Sequence, residues 1–153
     1  MLTHNDHSER IEIASLIPHK DAMCLLDEIV FWNDLYIRCT TASHRNPANP
    51  LRGPSGLLSV CGIEYAAQAI AVHGGLLQRQ SAGFQAPSSG YLANAKDVRW
   101  TVDRLDDIAS DLLVEAEQMI SEGGRSIYAF NLSSDGRLLM QGRVAVVLEG
   151  ANL

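Results

Sequence analysis

The stretch 57–77, LLSVCGIEYAAQAIAVHGGLL, constrains this chain more than any other feature. It is long, apolar and almost uncharged, and it is crowded with small residues: Gly62, Ala66, Ala67, Ala69, Ala71, Gly74 and Gly75. A helix on a protein surface shows a polar face, so one that is apolar nearly all round has to be enclosed by other structure. Its small residues let that structure come close. Glu64 stands in the middle, with Gln68 one turn later on the same face. A carboxylate in such surroundings must be paired, neutralised or put to work.

The rest of the chain says what does the enclosing. Segment 11–20, IEIASLIPHK, reads as a short helical or irregular lead-in closed by Pro18. Residues 25–41 carry two β-rich runs, LLDEIVFW and LYIRCTT, with Asn33-Asp34 as the turn of a hairpin. The loop SHRNPANPLRGPSG, with its three prolines, excludes helix and central strand. A second loop, QSAGFQAPSSG, follows the helix, and beyond it strands are predicted at 91–102, 112–120, 126–133 and 138–148. Gly123-Gly124 and Asp135-Gly136 are hairpin turns that make the last three an antiparallel meander. Two β-runs, one helix and four more β-runs predict a single α+β domain over 1–153, an antiparallel sheet curled round the helix. One face of that helix stays open, for a second copy of the protein.

A chain of 153 residues that is 46% hydrophobic is long enough to bury a real core. Its net charge of −6, without a lysine or arginine run, argues against a nucleic-acid partner. The start, MLTHNDHSER, holds no apolar targeting core, and 57–77 is too broken by glycine to predict a membrane span. Cys24, Cys39 and Cys61 show neither C-x-x-C nor Cys/His spacing, so no disulfide framework and no metal site is expected. A reducing cytoplasm is the expected compartment.

Taken in order, LIPHKDAMCLLDEIV, GIEYAAQ and YLANAKDVRWTVDRLDD resemble the lead-in, central-helix and following-strand motifs of the bacterial 3-hydroxyacyl-acyl-carrier-protein dehydratases. These have the hot-dog fold, a curled antiparallel sheet wrapped around a long central helix. SHRNPANPLR together with GIEYAAQAIAVHGG is closer still to the dehydratase-like hot-dog proteins of aryl-polyene gene clusters. The resemblance covers most of the chain. It implies dehydration of a 3-hydroxyacyl group held on the phosphopantetheine of an acyl carrier protein, with no cofactor. It also implies a homodimer, or a heterocomplex with a homologous dehydratase, whose active site is shared between the chains. By this likeness Glu64 is the helix acid and Gln68 its neighbour in the site, with substrate contacts at Ser59 and Val60; the helix-start amide that polarises the thioester falls at Ser59. The family's catalytic histidine, in G-H-F-P-G, lies fourteen residues before the acid, where this chain has Pro50. His44, twenty residues before Glu64, takes that role if a longer loop returns it to the same place.

The chemistry fits those residue types. Dehydration needs a base near C2, an acid near the C3 hydroxyl and positive potential at the carbonyl; an imidazole, a carboxylate and a helix N-terminus supply them. Burial raises a carboxyl pKa, which would keep Glu64 protonated until it gives its proton to the leaving hydroxyl. His19 reads as structural or at the tunnel rim, His73 as a satisfied core or interface side chain, and His4 and His7 as part of a tail. Trp32, Trp100, Tyr91, Tyr128 and Phe130 read mostly as core, with one or two of them open to lining an acyl tunnel. Because an acyl carrier protein is acidic, Arg45 and Arg52, in the loop before the helix, are candidates for docking it. Two other functions share these features: hydrolysis of a thioester by water activated on the same carboxylate, and a non-catalytic subunit that pairs with an active homologue.

Overall fold

The structure is a computed structural model that describes residues 13–17, 21–82 and 90–148. The expectations for His4, His7, Pro18 and His19 lie outside those residues, as does that for the side chain of Tyr91. Strands β1 (Glu28–Trp32) and β2 (Tyr36–Thr41) form the predicted hairpin. Asn33 shapes its turn: its side-chain oxygen accepts the Leu35 amide while its own amide reaches the Tyr36 carbonyl. The first strand starts at Glu28 rather than 25, because both backbone polar groups of Leu25 are bonded to side chains instead of a ladder: its amide to Gln68, its carbonyl to Thr41 and Ser43.

A 3₁₀ turn, Ser59–Cys61, leads into the central helix α1 (Gly62–Ala82). The helix therefore begins at Gly62 rather than 57 and ends at Ala82 rather than 77. Its start is delayed because residues 57–59 are bonded elsewhere: the Leu57 amide to the Asp106 carboxylate, the Leu57 carbonyl to the Leu105 amide, and the Ser59 amide to the Asp103 carbonyl. Four strands follow, β3 (Gly90–Trp100), β4 (Leu112–Glu122), β5 (Arg125–Ser134) and β6 (Arg137–Leu148). Both predicted turns hold left-handed pairs, Gly123 and Gly124 at φ 60° and 80°, Asp135 and Gly136 at 51° and 76°, as two-residue hairpins require. All six strands make one antiparallel sheet in the order β1-β2-β4-β5-β6-β3.

The core lies between this sheet and the helix. Leu112, Val114 and Ala116 of β4 and Tyr128, Phe130 and Leu132 of β5 face inward, while Glu115 and Glu117 point the other way. Tyr65, Ala66, Ala69, Ile70, Val72 and Leu76 meet them from the helix. Contact is close at Gly62, where a Cβ would lie 2.7 Å from the sulfur of Met140. Trp32 belongs to this core, but Trp100, expected there too, is 47% exposed at the end of the edge strand β3. By length and composition Ser59–Ser81 could cross a membrane, yet half of its most apolar window is buried inside the chain, which accounts for its apolar character. The stripe Ile63, Ala67, Ala71, Gly74 and Gln78 on the other side of the helix is only partly covered.

Candidate active site

Glu64 sits in the first turn of α1, half-buried. Gln68, one turn on and fully buried, donates to its Oε1 at 3.1 Å and to the Met23 carbonyl at 2.6 Å, and accepts the Leu25 amide at 2.9 Å. The side-chain amide fits only this way round, because the Met23 carbonyl demands a donor and the Leu25 amide an acceptor. Gln68 therefore holds one carboxyl oxygen of Glu64. A single chain does not enclose the acid as fully as the sequence suggested.

Backbone donors at the helix start are arranged differently from the expectation at Ser59. Its amide donates to the Asp103 carbonyl at 3.0 Å, its hydroxyl donates to the Val102 carbonyl, and the residue is buried. The loop that delays the helix thus takes the amide that was to polarise a carbonyl. Val60 is half exposed, and its amide has no acceptor among the described residues. It stands in the turn that leads into the positive end of the helix, where backbone amides lack intrahelical acceptors.

His44 lies in the 3₁₀ turn Ser43–Arg45 and is fully buried. Its Nε2 stands 3.0 Å from the Ile108 carbonyl. A carbonyl only accepts, so Nε2 carries the hydrogen and Nδ1 keeps its lone pair. That Nδ1 has no hydrogen-bond partner among the described residues. Burial pushes the imidazole below its ordinary pKa, with the Ile108 carbonyl opposing and Arg45 assisting; the carboxylate acting on it is that of Asp111. The ring is thus a neutral imidazole of fixed tautomer, the form a general base needs, and in the single chain Nδ1 is closed to solvent.

The loop that carries His44 is fastened to the residue next to the acid. Tyr65, fully buried, has its hydroxyl 2.7 Å from Ser43 Oγ and accepts from Asn49 Nδ2 at 3.1 Å. Neither Tyr65, Ser43 nor Asn49 stood out in the sequence. The available signal was a tyrosine inside an apolar helix, whose hydroxyl must find a partner when buried. Arg45 is tied to Asp111 at 2.8 Å and to the Ala109 carbonyl. Arg52 lies 3.4 Å from Asp106, which Arg104 also pairs at 2.6 Å. The Arg104 guanidinium holds the Asp106 carboxyl well below the usual carboxylate range. Both candidate docking arginines are therefore already paired within the chain. Among the described residues no group of three or more His, Cys, Asp or Glu side chains is placed to hold a metal.

The family model for ApeP-like proteins, described as ApeP dehydratase, matches residues 11–151. No curated protein matches the chain in sequence. Among solved structures, the dehydratase heterocomplex ApeI:P from Xenorhabdus doucetiae is similar with a TM-score of 0.83 and 23% identity, over 93% of this chain and 93% of that one. An uncharacterised protein from Pyrococcus horikoshii follows at a TM-score of 0.59 and 11% identity, over 94% and 97% of the two chains. A hypothetical thioesterase from Streptococcus pneumoniae, solved with coenzyme A, has a TM-score of 0.54 and 13% identity, over 82% and 88%. At such identities these likenesses show a shared fold, the hot-dog fold implied by the motifs.

Proposed function

This chain belongs to the ApeP-like dehydratase family, and from that premise we propose that it dehydrates 3-hydroxyacyl groups on acyl carrier protein to trans-2-enoyl thioesters, in the cytoplasm, within an aryl-polyene type of pathway. The observation that carries the reading is Glu64 at the helix N-terminus, held by Gln68 and close in sequence to the half-exposed Val60. In the proposed reaction the Val60 amide and the helix end stabilise negative charge on the thioester oxygen. The neutral imidazole of His44 takes the proton from C2 through Nδ1, which its turn must open to the substrate in the assembled site because the single chain closes it off. The C2–C3 double bond forms as the C3–O bond breaks, and Glu64 gives its proton to the departing oxygen, which leaves as water. Proton transfer from the imidazolium back to the carboxylate, through water, restores the starting state. Gln68 acts by orienting the carboxyl group.

The matched Xenorhabdus doucetiae structure is a heterocomplex, and this chain has a partly covered helix stripe of its own. Pairing with a second copy or with a homologous dehydratase through that stripe follows, with the acid of one chain facing the imidazole of the other. Arg45 and Arg52 would meet the acidic carrier while sharing their charge with Asp111 and Asp106.

Glu64→Gln tests the reading, since the amide is nearly isosteric but gives up no acidic proton. Turnover, followed by the ultraviolet absorbance of the conjugated thioester, is expected to fall by ~10²- to 10⁴-fold. His44→Ala is expected to fall in the same range. Unchanged turnover in His44→Ala would move the base role to another residue or favour the non-catalytic-subunit reading, and release of free thiol without an enoyl product would move the chain to thioester hydrolysis.

A further inference from the structure

The hydrogen bonds around Tyr65 form a closed circuit. Ser43 Oγ lies 2.7 Å from the Leu25 carbonyl, and because a carbonyl only accepts, the single Ser43 hydroxyl hydrogen points there. Tyr65 must then donate to Ser43 Oγ at 2.7 Å. Asn49 Nδ2 supplies the other side, donating to the Tyr65 hydroxyl at 3.1 Å and to the Ser43 carbonyl at 2.9 Å, while its Oδ1 accepts the Leu51 amide at 2.9 Å. Thr41 Oγ1 adds a second hydrogen bond to the Leu25 carbonyl at 2.5 Å. Leu25 is where the circuit closes, because its amide goes to Gln68 Oε1 at 2.9 Å, and Gln68 holds Glu64. Thr41 Oγ1 also lies 3.0 Å from Ser43 Oγ, so the hydroxyls of Thr41, Ser43 and Tyr65 share one buried cluster around the Leu25 carbonyl. A network satisfied in this way is stiff, whereas one that has lost a member leaves buried groups unpaired.

We propose that Tyr65 is a positioning residue, whose hydroxyl fixes the turn carrying His44 against the helix residue next to Glu64 and so sets the placement of the base relative to the acid. The inference rests on the reading of His44 and Glu64 as the acid–base pair. It holds whether the two meet within a chain or across an interface, since the same turn carries His44 in either case. Nothing in it requires Tyr65 to touch the substrate: its phenol is fully buried and both its polar contacts are to the loop. Without the hydroxyl the ring still fills its place in the core, but Ser43 loses its donor and Asn49 an acceptor, and the turn is held by fewer bonds.

Tyr65→Phe is the test, with Tyr128→Phe as its control. Tyr128 is also a buried, hydrogen-bonded tyrosine facing the helix, but its partners are His73 and Gln118 rather than the loop. Both variants are measured in the assembly in which the wild-type chain turns over a 3-hydroxyacyl thioester. Tyr65→Phe is expected to lower kcat by ~10- to 100-fold with KM changed by less than about threefold, the signature of a misplaced group rather than lost binding. Tyr128→Phe is expected to lose comparable stability while keeping kcat within about threefold of wild type. Amide exchange in residues 43–49 should rise in Tyr65→Phe alone. Equal kcat losses in the two variants, or unchanged exchange in residues 43–49, would overturn the inference. A wild-type protein that fails to dehydrate, alone and with a homologous dehydratase, would instead overturn the functional reading, while the exchange data would still decide whether Tyr65 anchors the turn.

Discussion

His73 takes no part in the proposed chemistry, and its setting gives the chain a pH dependence of its own. It is fully buried, with Nε2 2.8 Å from the Asn33 carbonyl, so that Nδ1 accepts the Tyr128 hydroxyl at 2.6 Å; Gln118 donates to the same tyrosine oxygen at 3.3 Å. Burial lowers the pKa of the ring, against the Asn33 carbonyl and the Asp34 charge, from an ordinary 6.5. An imidazole lowered in this way stays neutral in the folded chain while the unfolded chain takes up a proton, so stability is full above the ordinary value and declines as pH falls through it. His44 shifts in the same direction and adds to the slope. The urea midpoint is expected to fall between about pH 7.5 and 5.5, and the fall should be shallower in His73→Gln. Equal slopes in the two proteins would show that His73 is not the group responsible. Helical spacing alone read His73 as a core or interface side chain and put Glu64 and Gln68 on one face of the helix, while their role in a site came from the family resemblance. The sequence did not show Tyr65 with Ser43, or Ser59 with Asp103, because those pairs depend on which distant loops fold onto the helix.

At the scale of elements, the strands were legible to within a few residues, since alternation and the Gly123-Gly124 and Asp135-Gly136 turns act over short spans of chain. The strand order was not. β3 crosses the whole sheet to pair with β6, a choice made by long-range pairing rather than local pattern. The helix carries its small residues for a reason that the structure makes specific. A Cβ on Gly75 would stand 2.8 Å from the backbone oxygen of Leu16 and 3.3 Å from its side chain, so the lead-in segment lies directly on the helix there. Alanine would gain about 1 kcal/mol in helix propensity, but overpacking of a fixed backbone contact costs about 1–3 kcal/mol. Gly75→Ala is therefore expected to lower the thermal midpoint, although the same change in an open helix raises it. A raised midpoint would mean that the segment around Leu16 yields easily and does not fix the helix.

For the whole molecule, the unsettled surface is the helix face that the sheet leaves uncovered. Ile63, Ala67, Ala71 and Gly74 fall on one stripe of α1, which turns polar only at Gln78, so that most of it gains nothing from contact with water. The edge strand β3 adds Leu92 and Trp100, 39% and 47% exposed, beside backbone groups that no further strand among the described residues pairs. Both features ask for another chain. A two-fold partner would cover the stripe with the same stripe and let the small residues bring the two helices close. The expected outcome is a dimer at micromolar concentration by sedimentation, alone or after mixing with a homologous dehydratase. Ala71→Glu should break it, because the new carboxylates would meet across the axis with little water to screen them. The variant is expected to sediment as a monomer with its helical circular dichroism unchanged, and to lose turnover if the site is shared. A variant that still pairs would move the interface away from this stripe, and a wild-type chain that stays monomeric in both settings would remove the basis for a shared site.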